Sequence, residues 1–151
     1  MHAVTTPAPH DPVPHDPASI AAFVDGIGCG VVATVSPGGA PEAALVGLAA
    51  LEDGTLIFNT PDAARKVDNL RTSPRVAVVV SQDDVSLQIE GAATITAGAE
   101  RDRYGRAYER RFPGSRAFAD GFLVVAVRPD WVRVYDAGMR PAHVAEAAWR
   151  D

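Results

Sequence analysis

Short apolar runs rich in β-branched residues recur along the chain, and turn signals rather than helices separate most of them. Residues 30–36, 75–81 and 85–96 are examples. Glycine and proline, as in Pro37-Gly38, stand between neighbouring runs, which is typical of strands joined by hairpins. A parallel sheet would need a helix between successive strands. The pattern therefore predicts an antiparallel sheet that closes, or nearly closes, into a barrel.

The predicted fold is mainly β with a few helices. Strands are expected over residues 30–36, 41–51, 55–59, 75–81, 85–96, 122–127 and 131–135. Gly91 predicts a bend or bulge, and the turn Arg128-Pro129-Asp130 is expected to separate the last two strands. Helices are expected over residues 20–27 with Ser19 as N-cap, from Pro61-Asp62 to Ser73, over 99–112, and over 141–149 at the end of the chain.

Composition narrows the class of protein. A chain of 151 residues fits one domain, and 47% hydrophobic with 22% charged residues excludes wholesale disorder. The formal net charge of −5 argues against a protein that generally binds nucleic acid or anionic membranes. No apolar stretch approaches the roughly 20 residues of a membrane span. The sequence predicts no membrane association.

Cysteine content and the N-terminus bear on the compartment. Cys29 is the single cysteine, so it cannot form an intramolecular disulfide, and its apolar neighbours predict a buried, inert thiol. The first residues lack the basic and apolar regions of a secretory signal. A cytoplasmic location is expected.

The first 18 residues are expected to form a flexible, proline-rich tail ahead of a domain spanning residues 19–151. The tail repeats Pro-His-Asp-Pro at residues 9–12 and 14–17. Imidazole and carboxylate groups both bind divalent metals, but a flexible segment does not preorganise them. No metal site is predicted, and the role of the tail stays open.

Residues 59–66 contain a candidate anion-binding site. Every cation of the chain is an arginine except Lys66, which follows Arg65 near the start of a predicted helix. The preceding strand ends at Asn59, and Thr60 supplies a hydroxyl. A helix N-terminus, an arginine fork and a lysine ammonium suit an anion such as a phosphate. The alternative is that the two cations form only a solvated helix face.

In this stretch and around it, the sequence resembles the FMN-binding split barrels related to pyridoxamine 5′-phosphate oxidase, over residues 20–136. The marks are Ala33-Thr34-Val35, Gly39-Ala40-Pro41, residues 53–58, Thr60, Arg65-Lys66, Asn69-Leu70, residues 74–77, residues 89–92 and Val134-Tyr135-Asp136. Their order and spacing together, rather than any one of them, carry the resemblance.

The resemblance implies a split barrel of six to seven strands that forms a homodimer, with two flavin sites between the subunits. Thr60, Arg65 and Lys66 would hold the FMN phosphate. The strand residues Ala44, Leu45 and Val46 would run beside the flavin ring, with Asn59 nearby. The other subunit would contribute Ser86 and Tyr135, although Tyr135 could equally be a core aromatic near a sheet end.

The chain also departs from its relatives. Those that oxidise pyridoxamine phosphate carry arginine and lysine where this chain has Ala44 and Ala49, and they end in an Arg-x-His motif. Here the corresponding segment is Met139-Arg140-Pro141-Ala142-His143. Vitamin B6 oxidase activity is therefore not expected. The role of His143 stays open, and no catalytic side chain is nominated because a flavin would itself transfer the electrons.

The leading hypothesis is an FMN-dependent oxidoreductase whose substrate and electron donor the sequence does not identify. An F420-dependent reductase on the same fold and a non-catalytic flavin-binding or stress-associated protein are the alternatives. A plain structural dimer is a further, weaker one. A separate observation favours a dimer. In the hairpins over residues 31–51 and 75–95, odd-numbered and even-numbered positions are both apolar, as if both faces of the sheet were covered.

Overall fold

The structure, a computed structural model, describes residues 11–149. Within this range it has three helices, α1 (Pro17–Ile27), α2 (Arg65–Thr72) and α3 (Gly98–Arg111), and eight strands, β1 (Cys29–Val35), β2 (Pro41–Gly47), β3 (Ala49–Ala50), β4 (Leu56–Pro61), β5 (Arg75–Gln82), β6 (Val85–Ile95), β7 (Phe122–Asp136) and β8 (His143–Ala148). None of the helices in the described range is long and apolar enough to cross a membrane.

All these strands belong to one antiparallel sheet, in the order β2-β1-β5-β6-β7-β4-β3, with β8 added to β7. The two ends of this path, β2 and β3, are neighbours in sequence and are separated only by Leu48. Leu48 is fully buried, and its N–H donates to the carbonyl oxygen of Gly28 at 3.0 Å. Since both edges meet at one residue, the sheet curls round on itself. The predicted antiparallel split barrel is confirmed, but the single strand expected over residues 41–51 is wrong.

Alternate side chains of the strands fill the inside of the curled sheet. In β5, Val76, Val78 and Val80 are buried, while the residues between them are exposed. Helix α1 adds Ile20 and Val24, both fully buried, to the same cluster. Each such burial contributes about 1.5–3 kcal/mol to folding. Helix α3 packs on the other face of β4 and β7, in a second cluster of Ala49, Ile57, Tyr108, Ala117 and Val124.

Strand β7 runs unbroken for 15 residues, so the turn expected at Arg128-Pro129-Asp130 is wrong. On one side, β4 pairs with β7 as far as Val127, and β8 pairs with it from Trp131 onward. Pro129 lies between these two partners, where its missing N–H costs no ladder hydrogen bond. On the other side, the register of β6 shifts between Glu90 and Gly91, which confirms the predicted bulge.

The helix expected over residues 141–149 is also wrong, because this segment forms strand β8. Alanine favours helix in isolation, but the second half of β7 offers an otherwise unpaired edge on the side opposite β6. His143 pairs with Asp136 and Ala148 with Trp131 across this edge. Tertiary pairing thus overrides local propensity. The helix predicted over residues 99–112 is confirmed as α3, one residue earlier at each end.

The first helix starts earlier than predicted and has a different N-cap. Helix α1 begins at Pro17, and Asp16 rather than Ser19 is its N-cap, accepting from the N–H of Ala18 at 3.1 Å. The expected boundary between residues 18 and 19 therefore falls inside a helix. Pro14 is buried, and its carbonyl oxygen accepts from Nε1 of Trp149 at 2.6 Å. Residues 1–10 of the predicted tail, which include Pro9 and His10 of the first repeat, lie outside the described residues.

Candidate functional site

Helix α2 is held against the barrel by its apolar side. Val67 and Leu70 are buried there, and the helix contacts β1 and β6. Its N-cap, Ala64, has extended backbone and makes no capping hydrogen bond through its side chain. The first N–H groups of the helix, with the positive end of its dipole, are therefore not capped by a side chain, and Arg65 and Lys66 stand at this end.

A small cleft of about 150 Å³ opens between this helix end and strands β1 and β2. It is lined by Val32, Thr34, Glu42, Ala43, Ala44, Arg65 and Lys66. Pockets that enclose a whole small molecule usually measure about 300–1,000 Å³. The cleft of one chain is thus large enough for an anionic group such as a phosphate but not for an entire flavin.

A hydrogen-bond network ties the cleft together. Asn69 is 3% exposed, and its Nδ2 donates to Oγ1 of Thr34 at 2.9 Å and to Oε1 of Glu42 at 2.8 Å. The other carboxylate oxygen of Glu42 pairs with Nη1 of Arg65 at 2.8 Å. Thr34 and Glu42 are themselves cross-strand partners on β1 and β2. The network therefore fixes α2 to both strands and holds a carboxylate in the cleft.

Lys66 differs from Arg65 in its surroundings. Its side chain is half-buried in the cleft, and desolvation by this burial lowers its pKa from the ordinary value of 10.5. Across residues 11–149, no carboxylate lies within 4.0 Å of its ammonium group. Burying a cation without a counter-charge is unfavourable. An anionic ligand at this position would remove that cost.

Strand β2 divides the predicted ring-contact residues between its two faces. Ala44 and Val46 are half-buried on the inner face, with Ala44 in the cleft and Val46 against the core. Leu45 points to the outer face and is 72% exposed. The structure thus brings Ala44, Arg65 and Lys66 together, and it separates Leu45 from them.

Asn59 and Thr60 lie on β4, outside the lining of the cleft. Thr60 is almost fully buried, and its hydroxyl makes only a long contact of 3.4 Å with the carbonyl oxygen of Pro61. Asn59 is half-buried and pairs with Val124 on β7. A role for either residue in holding the phosphate stays a prediction.

Ser86 and Tyr135 are cross-strand partners on β6 and β7, on the outer face of the sheet. Tyr135 is 39% exposed, so it is not a core aromatic. The next strand, β8, places Val144 beside it. The two residues share a surface with each other but not with the cleft of their own chain. His143, whose role the sequence left open, is exposed at the start of β8.

The sequence pattern predicts no role for the three residues of the network, Glu42, Asn69 and Thr34. One signal was available for Asn69, because it stands between the apolar Val67 and Leu70 on the buried side of a helix. A polar side chain in such a place needs hydrogen-bond partners. For Glu42 no comparable signal exists, since its strand is only half-buried and tolerates charge.

The outer face of β2, β1 and β5 is exposed and apolar; we call it the outer apolar face. Leu45, Val31 and Val79 lie side by side across the three strands, and Ala43, Ala33 and Ala77 form the next row.

Cys29 belongs to this face and is exposed, so the prediction of a buried thiol is wrong. On β6 the same face is polar, with Gln88 and Glu90. The expectation of apolar residues on both faces is therefore confirmed for β1, β2 and β5 but not for β6.

Comparison with known proteins identifies the family of the chain. Residues 17–136 match the family model described as pyridoxamine 5′-phosphate oxidase, and the chain belongs to this family. No curated protein matches the sequence.

Several solved structures share the fold. A conserved hypothetical protein from Mycobacterium tuberculosis is 26% identical, with a TM-score of 0.68 over 81% of this chain and 87% of that one. A heme binding protein from Mycobacterium smegmatis is 20% identical, with a TM-score of 0.74 over 91% of this chain and 59% of that one. A pyridoxamine 5′-phosphate oxidase-related, FMN binding protein from Nostoc punctiforme is 17% identical, with a TM-score of 0.60 over 83% of this chain and 88% of that one.

Proposed function

We propose that the protein binds FMN through its phosphate group in the cleft at the start of α2 and acts as an FMN-dependent oxidoreductase. The observation that carries this proposal is Lys66, a half-buried cation without a carboxylate partner in the described chain, beside a helix N-terminus that no side chain caps. These donors fit a phosphate group. Family membership and the FMN binding neighbour support the choice of flavin.

In this proposal each side chain has a separate task. Lys66 supplies a point charge to the phosphate, and the N–H groups at the start of α2 supply directed donors. Arg65, whose side chain is 79% exposed, adds a second cation while it remains paired with Glu42. The bound flavin would supply hydride or electron transfer. The backbone of β2 from Ala44 to Val46 would support the ring.

A second copy of the chain completes the site. The cleft is too small for the whole cofactor, and the outer apolar face starts on the same strand, β2. Covering Leu45, Val31 and Val79 with a second copy removes exposed apolar surface from water. Ser86 and Tyr135 of that copy are the proposed contacts for the flavin ring.

The test begins with the purified protein. Flavin absorption that is released on denaturation, and identified as FMN by mass spectrometry, supports the proposal. A Soret band would instead indicate heme, and a protein that is colourless and fails to bind added FMN would refute the proposal. The Lys66→Ala variant should bind FMN at least tenfold more weakly. Arg71→Ala, which removes an exposed cation from the other end of α2, should leave the affinity unchanged.

F420 is the second candidate cofactor. Its phosphate is a singly charged diester, and the carboxylate of Glu42 reduces the net positive charge of the cleft to a value that suits such a group. Titrating the apo protein with FMN and with F420 decides between the two cofactors. Turnover with a reductant separates an oxidoreductase from a protein that only stores or senses flavin, which would hold bound flavin without turnover.

A further inference from the structure

We propose that Glu42 sets the charge specificity of the cleft: it disfavours doubly charged phosphate monoesters relative to singly charged phosphodiesters. This inference rests on the proposed function, because it concerns the ligand of the same cleft. It adds a specificity determinant that neither the sequence pattern nor the family comparison indicates.

The carboxylate is built into the cleft rather than resting on the surface. Only 19% of the side chain of Glu42 is exposed, and both of its oxygens are engaged, one by the buried Asn69 and the other by Arg65. Asn69 is held in turn by Thr34. A carboxylate that accepts two such bonds is fixed in position, and a ligand cannot displace it at low cost.

The charges decide what the cleft accepts. Arg65 and Lys66 bring two positive charges, and Glu42 removes one of them. A phosphate monoester carries between about −1.5 and −2 at pH 7, whereas a diester carries only −1. Because the cleft is partly shielded from water, charges at a few ångströms are weakly screened there. A monoester therefore experiences more repulsion from Glu42 than a diester does.

The experiment compares three ligands that share one ring system: riboflavin, FMN and the methyl ester of FMN. Riboflavin has no phosphate group, the phosphate of FMN carries about two negative charges, and that of the methyl ester carries one. Affinities are measured by quenching of flavin fluorescence at pH 7.5 for the wild type and for Glu42→Gln. That substitution keeps the length of the side chain and an oxygen for Asn69, and it releases Arg65. Glu52→Gln, at an exposed turn position, is the matched control.

We expect Glu42→Gln to strengthen FMN binding about tenfold relative to the methyl ester, with riboflavin unchanged. The control should leave all three affinities as they are. A ratio of FMN to methyl ester affinity that stays within twofold of the wild-type value would overturn the inference. If Glu42→Gln does not fold, Glu42→Ala removes the same charge, and the same ratio decides.

A second pair of probes separates this inference from the proposed function. If no flavin binds to the wild type, the proposed function fails. Phenyl phosphate and methyl phenyl phosphate are then titrated while the amide signals of Arg65 and Lys66 are followed by NMR. A response to phenyl phosphate that Glu42→Gln strengthens relative to the response to methyl phenyl phosphate supports the inference. An unchanged ratio of the two responses, or no response to either ester, refutes it.

Discussion

The side chain of Asn69 on α2 donates to the hydroxyl oxygen of Thr34 on β1 across 2.9 Å, in a place where both residues are almost completely buried. This bond joins the helix that carries Arg65 and Lys66 to the strand that lines the opposite wall of the cleft. One buried amide therefore helps to fix the position of both cations, together with the apolar side of α2.

Replacing Asn69 with alanine should lower the free energy of unfolding by about 1–3 kcal/mol, because Thr34 and Glu42 lose their buried donor. It should also weaken FMN binding, since α2 loses its tie to β1. Urea denaturation and flavin titration measure the two effects. Thr72→Ala, at an exposed position of the same helix, is the control and should change neither. A stable Asn69→Ala variant would show that the network does not hold α2.

Lys66→Met should make the protein without ligand more stable at pH 7, at the expense of FMN binding. Burial lowers the pKa of Lys66 in the folded state, so the unfolded chain binds more protons between that lowered pKa and 10.5. The stability of the wild type therefore rises with pH in this window. The advantage of the variant should shrink as the pH rises through it. Thermal denaturation between pH 7 and 11 checks this, with Arg71→Met as the control. An advantage that grows with pH would contradict the prediction.

Leu45→Glu should convert the proposed dimer into a monomer, because it places a charge at the most exposed point of the outer apolar face. Analytical ultracentrifugation should show a halved mass, and flavin affinity should fall with it. Val13→Glu is the matched control, since Val13 is an exposed aliphatic residue before α1, outside that face. A wild type that is already monomeric would refute both the dimer and the shared site.

Gly91→Ala should be strongly destabilising, by more than about 2 kcal/mol. A Cβ at this position would lie 2.3 Å from the carbonyl oxygen of Arg128, a backbone atom of β7 that cannot move without disturbing the bulge. The same change at Gly26, in α1, meets no atom within 4 Å and should stabilise by up to about 1 kcal/mol. Chemical denaturation of the pair gives opposite signs if the packing at the bulge is as described.

Local patterns were sufficient to predict most of the barrel. Residues 75–81 form a continuous apolar run rich in valine, and Gly91 marks the bulge, so β5 and β6 could be predicted from the sequence. Pro129 and the segment of β8 could not. Whether a proline interrupts a strand depends on which partners flank it, and whether an alanine-rich segment becomes a strand depends on an open edge far away in sequence.

The sequence was sufficient to predict the two cations of the candidate site but not its carboxylate. Arg65 and Lys66 stand out through their spacing from the preceding strand, and the structure places them in one cleft. Glu42 enters that cleft from β2, through register with Thr34 and contact with Asn69. Such a pairing arises from the way the strands align and leaves no local trace in the sequence.

Strand β8 also prevents edge-to-edge pairing between copies of the chain. It covers the edge of β7 from Trp131 to Asp136, which would otherwise offer a row of free N–H and C=O groups to any passing chain. A chain shortened to residue 142 would keep the cleft-lining residues but would present six unpaired strand residues to its neighbours. Loss of β8, by proteolysis or mutation, would therefore cause aggregation before it reduced ligand binding.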